Sequence, residues 1–153
     1  MCCKTVILCV KCFSWHFYIV FVGDWLKLLN ECLSYDVANI RMAAIAAFPA
    51  FFTEYFRGDD EETQTKRATI VRSYISELAL HNIQIIRMGH SLALGSLPAF
   101  MLKPHVGEVI DGLIESTVIT RATQKWAESR RDAIKSLTSI CVTLEDQFAK
   151  GQL

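Results

Sequence analysis

The chain has 153 residues, 52% of them apolar and 21% charged, and its 16 Lys and Arg balance its 16 Asp and Glu. That is room for one domain with a sizeable core, and the composition excludes a disordered chain. A net charge of zero argues against a dedicated nucleic-acid binder, which carries a basic excess, and no Gly-, Ser- or Pro-rich linker divides the chain.

The first 23 residues read as a separate apolar segment. Thr5 to Val22, "TVILCVKCFSWHFYIVFV", is 18 residues long, the lower limit for a membrane span. Lys11 and His16 make it a poor span, and no small-residue cleavage site of a signal peptide stands near Val22-Gly23-Asp24. The expectation is a segment that caps the next helices, on a face made by Leu28, Leu29, Ile45 and Phe48. The alternative is a membrane anchor at residues 5–22, which would make the chain a tethered helical adaptor. Of the six cysteines, at 2, 3, 9, 12, 32 and 141, four crowd into the first twelve residues. This is not the spread of a secreted disulfide scaffold and points to a reducing compartment. Cys9-Val-Lys-Cys12 has zinc-knuckle spacing with His16 nearby, but a structural site needs four ligands. Thiols in an apolar segment are the simpler reading, and no metal or cofactor is expected.

The composition shifts at Gly23-Asp24, and the repeating part is read from 24 to 153. Trp25, Leu28, Leu29, Cys32 and Leu33 recur at helical spacing, with Asp24 as the N-cap. Ile40, Ala44, Ala47 and Phe51 form one apolar stripe of the next helix, and Ile45, Phe48 and Phe52 another. A helix apolar nearly all round is buried. "RGDDEETQ" is a short polar connection, in which Asp59 and Glu62 have capping-box spacing. Val71, Tyr74, Ile75 and Leu78 mark a third helix, and 83–97 a fourth. Val106, Val109, Ile110, Leu113 and Ile114, entered through Pro104, mark a fifth. The sixth is expected from about Gln124 to Val142. Pro49 and Pro98 should each bend the chain.

The second helices are copies of one another. Ile40-Arg41, Ala44, Ala47-Phe48 and Phe51 align with Ile86-Arg87, His90, Ala93-Leu94 and Leu97. Ser129-Arg130, Ala133, Ser136-Leu137 and Ile140 align with both. The offsets are 46 and 43 residues. That period belongs to HEAT and armadillo arrays, so the sequence predicts an all-α solenoid of three helix pairs, about 24–57, 64–101 and 104–143.

Two phrases say more. "RMGHSLALGSLPAFML" (Arg87 to Leu102) followed by "WAESRRDAIKSLTSIC" (Trp126 to Cys141) resembles the carboxy-terminal part of the tubulin-folding cofactor D family of HEAT-repeat chaperones. The likeness covers roughly Asp24 to Val142, more loosely over residues 24–57. The family protein is many times longer than this chain. The resemblance implies a non-enzymatic role in α/β-tubulin heterodimer assembly. It implies binding of β-tubulin, of cofactors C and E, and of an Arf-like small GTPase, in the cytoplasm and at the cytoskeleton.

Three clusters invite a chemical reading. Gly89-His90-Ser91-Leu92-Ala93 matches the nucleophile elbow, which needs a strand before the serine and a helix after it. The repeat alignment puts the stretch inside a helix instead, with His90 partly buried, so no catalytic activity is expected. Asp59-Asp60-Glu61-Glu62 reads as a helix cap rather than a docking patch. Glu128, Arg130, Arg131 and Asp132 form a dense charge cluster at a helix start. It is a candidate contact for an acidic partner such as tubulin, since arginine binds carboxylates bidentately. The competing reading is structural, with Arg41, Arg87 and Arg130 forming a ladder onto neighbouring loops.

Overall fold

The computed structural model describes residues 15–80 and 82–149, and the side chains of 21–79 and 82–145. Every regular element among them is helical. They are α1 (Trp15–Leu33), α2 (Ala38–Tyr55), α3 (Glu61–Leu80), α4 (Gln84–Ser96), the single turn α5 (Ala99–Leu102), a 3-10 turn (Lys103–His105), α6 (Val106–Thr117) and α7 (Ala127–Ala149). Three pairs, α1/α2, α3/α4 and α6/α7, stack in chain order. The second helices form one continuous row, α2 against α4 and α4 against α7, while α3 packs on α6 and α1 also touches α4. Contacts between neighbours alone are how a helical-repeat stack buries its core.

The core lies where the helices meet. Leu33, Phe48, Phe52, Tyr74, Leu78, Leu94, Leu102, Leu113 and Ile140 are essentially inaccessible to water. Each such side chain contributes about 1.5–3 kcal/mol relative to leaving it exposed. α2 supplies an aromatic cluster: Phe48 and Phe52 meet edge to face with centroids 5.3 Å apart, and Phe48 stacks on Tyr74 of α3 at 6.0 Å. The Tyr74 hydroxyl donates to Asn30 Oδ1 of α1 at 2.6 Å, so one side chain joins the first two pairs. Burial pushes its phenol well above the usual tyrosine range, which keeps it a donor.

The repeat has a structural signature in its arginines. Arg41 Nη1 donates to the carbonyls of Tyr35 and Asp36 at 2.6 and 3.0 Å. Arg130, at the aligned position, donates to the carbonyls of Thr123 and Gln124 at 2.7 and 3.3 Å. Each arginine therefore ties its helix to the turn that precedes it. For Arg41 and Arg130 this corrects the expectation of a ladder onto neighbouring loops: their bonds stay within one repeat. Arg41 is buried, so Arg41→Met keeps the packing but orphans its hydrogen-bond geometry. We expect Arg41→Met to destabilise the chain by about 1.5–3 kcal/mol in urea unfolding, and an unchanged midpoint would refute the tie.

Several sequence expectations shift. Asp24 is not an N-cap, because α1 already runs from Trp15 and passes through Gly23-Asp24 without a break. The apolar residues 15–22 thus extend α1 rather than fold back over it. Of the face expected to receive a cap, Ile45 and Phe48 belong to the core, 7% and 0% exposed, while Leu28 is exposed. Residues 1–14, with Cys9 and Cys12, lie outside the described residues. The cap of α3 is Asp60, one residue later than expected: its Oδ1 accepts from the Thr63 amide at 2.8 Å. That hydrogen bond holds the Asp60 carboxyl below the usual carboxylate range. α7 begins at Ala127 rather than about 124, after a turn at 121–125.

The two prolines behave differently. Pro98 follows the end of α4, with Leu97 and Pro98 both extended, and the axis of α4 lies 109° from that of 99–117. Pro49 sits inside α2, which continues unbroken to Tyr55. It lies on the exposed side, where water can satisfy the carbonyl that proline leaves unpaired. Among the described residues no single helix is long and apolar enough to cross a membrane.

Candidate functional site

The α4–α7 seam is the most extensive helix packing among the described residues, and it is lined by small residues. Gly95 faces Ser136 so closely that a Cβ on the glycine would stand 2.7 Å from the serine Cβ. Ser129, Ala133 and Ser136 are buried on the facing side of α7, with Ala93 and Leu94 buried on α4. At the other flank of α4, a Cβ on Gly89 would stand 2.0 Å from the carbonyl oxygen of Leu33 at the end of α1. α4 is thus gripped from two sides at positions where only a missing side chain allows contact.

Arg87 breaks the pattern of its aligned partners. The carbonyls corresponding to those held by Arg41 fall at residues 81 and 82, of which 81 lies outside the described residues. The Arg87 guanidinium lies over the Trp126 ring, 5.7 Å from its centroid, and so reaches the turn of the third pair. Its Nε is buried without a hydrogen-bond partner among the described residues. Burial lowers its pKa, and the charge of Glu115 opposes that shift.

The elbow-like stretch is helical throughout, as the repeat alignment requires. His90 Nδ1 lies 2.8 Å from the Ile86 carbonyl, and its ring meets Tyr74 edge to face at 5.6 Å. At 6% exposure His90 is more buried than expected. It closes the inner end of a shallow groove lined by Leu26, Lys27, Asn30 and Glu31 of α1 and Glu77 of α3. Ser91 is 0% exposed and its hydroxyl has no partner among the described residues. A nucleophile must reach its substrate, and this one reaches neither solvent nor groove. Ser91→Ala removes a buried hydroxyl that gains nothing from folding, so it should leave stability unchanged or raise it by about 1 kcal/mol. Thermal unfolding tests this, and a clear drop in melting temperature would mean that the hydroxyl is paired.

The charge cluster on α7 divides between inside and outside. Arg130 is turned onto the carbonyls of the preceding turn. The Asp132 side chain is 5% exposed and meets Arg131 Nε at 3.3 Å and Lys135 Nζ at 3.8 Å. Arg131 and Glu128 face outward. Of the four residues, Glu128 and Arg131 are exposed, Arg130 ties α7 to the preceding turn, and Asp132 pairs within α7. A helical period of 3.6 separates neighbours by about 100°, so adjacent positions in a charge run cannot all share one face.

Two further surfaces were not legible as sites. Arg67 lies over the Phe100 ring at 5.5 Å beside a groove between α3 and the turn at Pro104 and His105. Arg72 of α3 meets Glu108 of α6 at 3.3 Å, and His105 adds a contact at 3.4 Å. Hydrogen bonds from Arg72 and His105 hold the Glu108 carboxyl below the ordinary range. Both arrangements join residues more than thirty positions apart or set by a turn, which no local spacing reveals. No protein-family model matches the chain, and no solved structure matches it.

Proposed function

We propose that the chain is a non-enzymatic scaffold segment of the tubulin-chaperone kind. It would hold β-tubulin and engage cofactors C and E and an Arf-like small GTPase during assembly of the heterodimer. One observation supports the reading. The two phrases that resemble the cofactor D family, Arg87–Leu102 and Trp126–Cys141, lie on helices that pack directly on each other. Gly95 of the first meets Ser136 of the second, and Arg87 of the first covers Trp126 of the second. Their spacing therefore has a physical meaning: each phrase supplies half of one close-packed seam. Of the α7 charge cluster, Glu128 and Arg131 face outward.

The test is retention of purified β-tubulin on the immobilised full chain. We expect retention by the parent and by Ser91→Ala, and loss in Ala93→Glu, which breaks the seam. A parent chain that folds yet retains no β-tubulin overturns the reading. The membrane-tethered adaptor draws on a separate observation, the continuation of α1 back to Trp15 through apolar residues. Fractionation of expressing cells separates the two, since recovery of the chain with membranes alone would favour the adaptor.

A further inference from the structure

The repeat leaves one side of the third pair uncovered. Ile45, Ser91 and Ile134 occupy the same position of the three second helices, 46 and 43 residues apart. Ile45 is 7% exposed and Ser91 0%, but Ile134 is 55% exposed. Ser91 lies one turn before Gly95, on the side of α4 that meets Ser136 of α7. Ile134 is therefore on the side of α7 onto which a following pair would stack. The same holds for α6. A Cβ on its Gly112 would stand 3.0 Å from Ile75 of α3, and Glu108 meets Arg72 of α3. Ile114 lies on the opposite side, 51% exposed, and Val118 at the helix end is 54% exposed. A terminal repeat that faces water carries a polar outer side, and this one presents isoleucine and valine.

The charges that border this face differ between its two helices. On α6, Glu108 is held by Arg72, and Glu115 lies close enough to Arg87 of α4 for its charge to act there. That leaves Asp111, exposed and without an ion-pair partner among the described residues. On α7 the border is basic: Arg131 and Lys135 are exposed and meet Asp132 of their own helix. Asp111 stands six residues, about 9 Å, before the end of α6, and Lys135 eight residues, about 12 Å, after the start of α7. Both are thus at similar depth below the turn that joins the two helices. Glu128 is turned further from Ile134 than Arg131 or Lys135 is. Glu145 stands about 15 Å beyond Lys135 along α7, past the far end of α6.

We propose that this outer face of α6 and α7 is the contact of a two-fold dimer of the chain. With the axis running along the helices between the copies, α6 of each lies against α7 of the other, and one patch serves both sides. Ile114 and Ile134 of both copies then form a single apolar centre. Asp111 of each copy comes level with the second copy's Lys135, with Arg131 one turn away. The acidic border of each copy thus meets the basic border of the other, which selects this arrangement over one that sets α6 on α6.

The experiment is sedimentation equilibrium of the full chain over a concentration range of about a hundredfold, with thermal melting of every variant. The parent should form a concentration-dependent dimer and stop there. Ile134→Glu places a charge on an exposed position, so it should fold while weakening the dimer at least about tenfold. Asp111→Lys and Lys135→Glu should each weaken it by placing like charges together, and the double exchange should recover most of the loss. Ala46→Glu, on the exposed side of α2, should leave the dimer unchanged. A parent that is monomeric throughout overturns the proposal, and so does growth beyond the dimer, which would mean a head-to-tail contact. A dimer as sensitive to Ala46→Glu as to Ile134→Glu overturns it as well. So does a double exchange no tighter than either single one, a result that stands even if Ile134→Glu fails to fold.

Discussion

Ala93→Glu is expected to abolish cooperative folding. Ala93 is 0% exposed in the α4–α7 seam, among Leu94, Leu97 and Ile140. A carboxylate there would be buried without a partner, or would force the two helices apart. Unpaired buried charges belong to the few mechanisms that cost more than about 4 kcal/mol. A domain of this size has about 5–15 kcal/mol in total. Circular dichroism should show loss of the thermal transition or a steep drop in its midpoint. Ala47 is the instructive control, because it occupies the aligned position in α2. Sequence spacing alone assigns both alanines to buried faces, but Ala47 is half-buried. Ala47→Glu can turn its carboxylate to water, and a loss of about 1 kcal/mol is expected. If the two variants melt alike, the seam is wrongly assigned.

Gly89→Ala should destabilise the chain where helix propensity alone says the opposite. Replacing an exposed helical glycine by alanine gains about 0.5–1 kcal/mol, through backbone entropy. At Gly89 the new methyl would lie 2.0 Å from the Leu33 carbonyl oxygen and 2.8 Å from its carbonyl carbon. These are backbone atoms at the end of α1, so no side-chain rotation relieves the clash, and the whole first pair must move. The overpacking penalty, about 1–3 kcal/mol or more, exceeds the propensity gain. Gly107→Ala supplies the contrast: nothing lies within 4 Å of its new methyl, and the residue is exposed in α6. It should raise stability by about 0.5–1 kcal/mol. Urea midpoints of the two variants should therefore move in opposite directions. A shift of the same sign in both would mean that α1 does not rest on α4 at Leu33.

The repeat was legible because it is a local property written three times. An arginine, small residues and an apolar residue recur at helical spacing in each second helix. Such spacing fixes which side of a helix is apolar before any partner is known. It located α4 to within one residue at each end, at 84–96 against an expected 83–97. The ends of helices were harder. Asp24 has the chemistry of an N-cap, yet α1 runs through it, because a cap residue acts as one only where the chain before it leaves the helix. Asp59 and Asp60 are adjacent and chemically alike, and backbone geometry chose Asp60.

What the sequence alone determined, then, was the all-helical architecture, its period and its three pairs. Periodicity is carried by neighbours along the chain, so it needs no knowledge of what packs where. The tertiary structure alone decided which apolar positions are covered. Ile45 and Phe48 went into the core while Met42 and Leu28 stayed in water. It also decided that Arg130 and Asp132 turn inward while Arg131 and Glu128 face out. The same phrase, an arginine at the start of a second helix, holds its own turn at Arg41 and Arg130 but crosses to Trp126 at Arg87. Those outcomes depend on residues dozens of positions away, brought close by folding, and the energy of a side chain is set by what surrounds it.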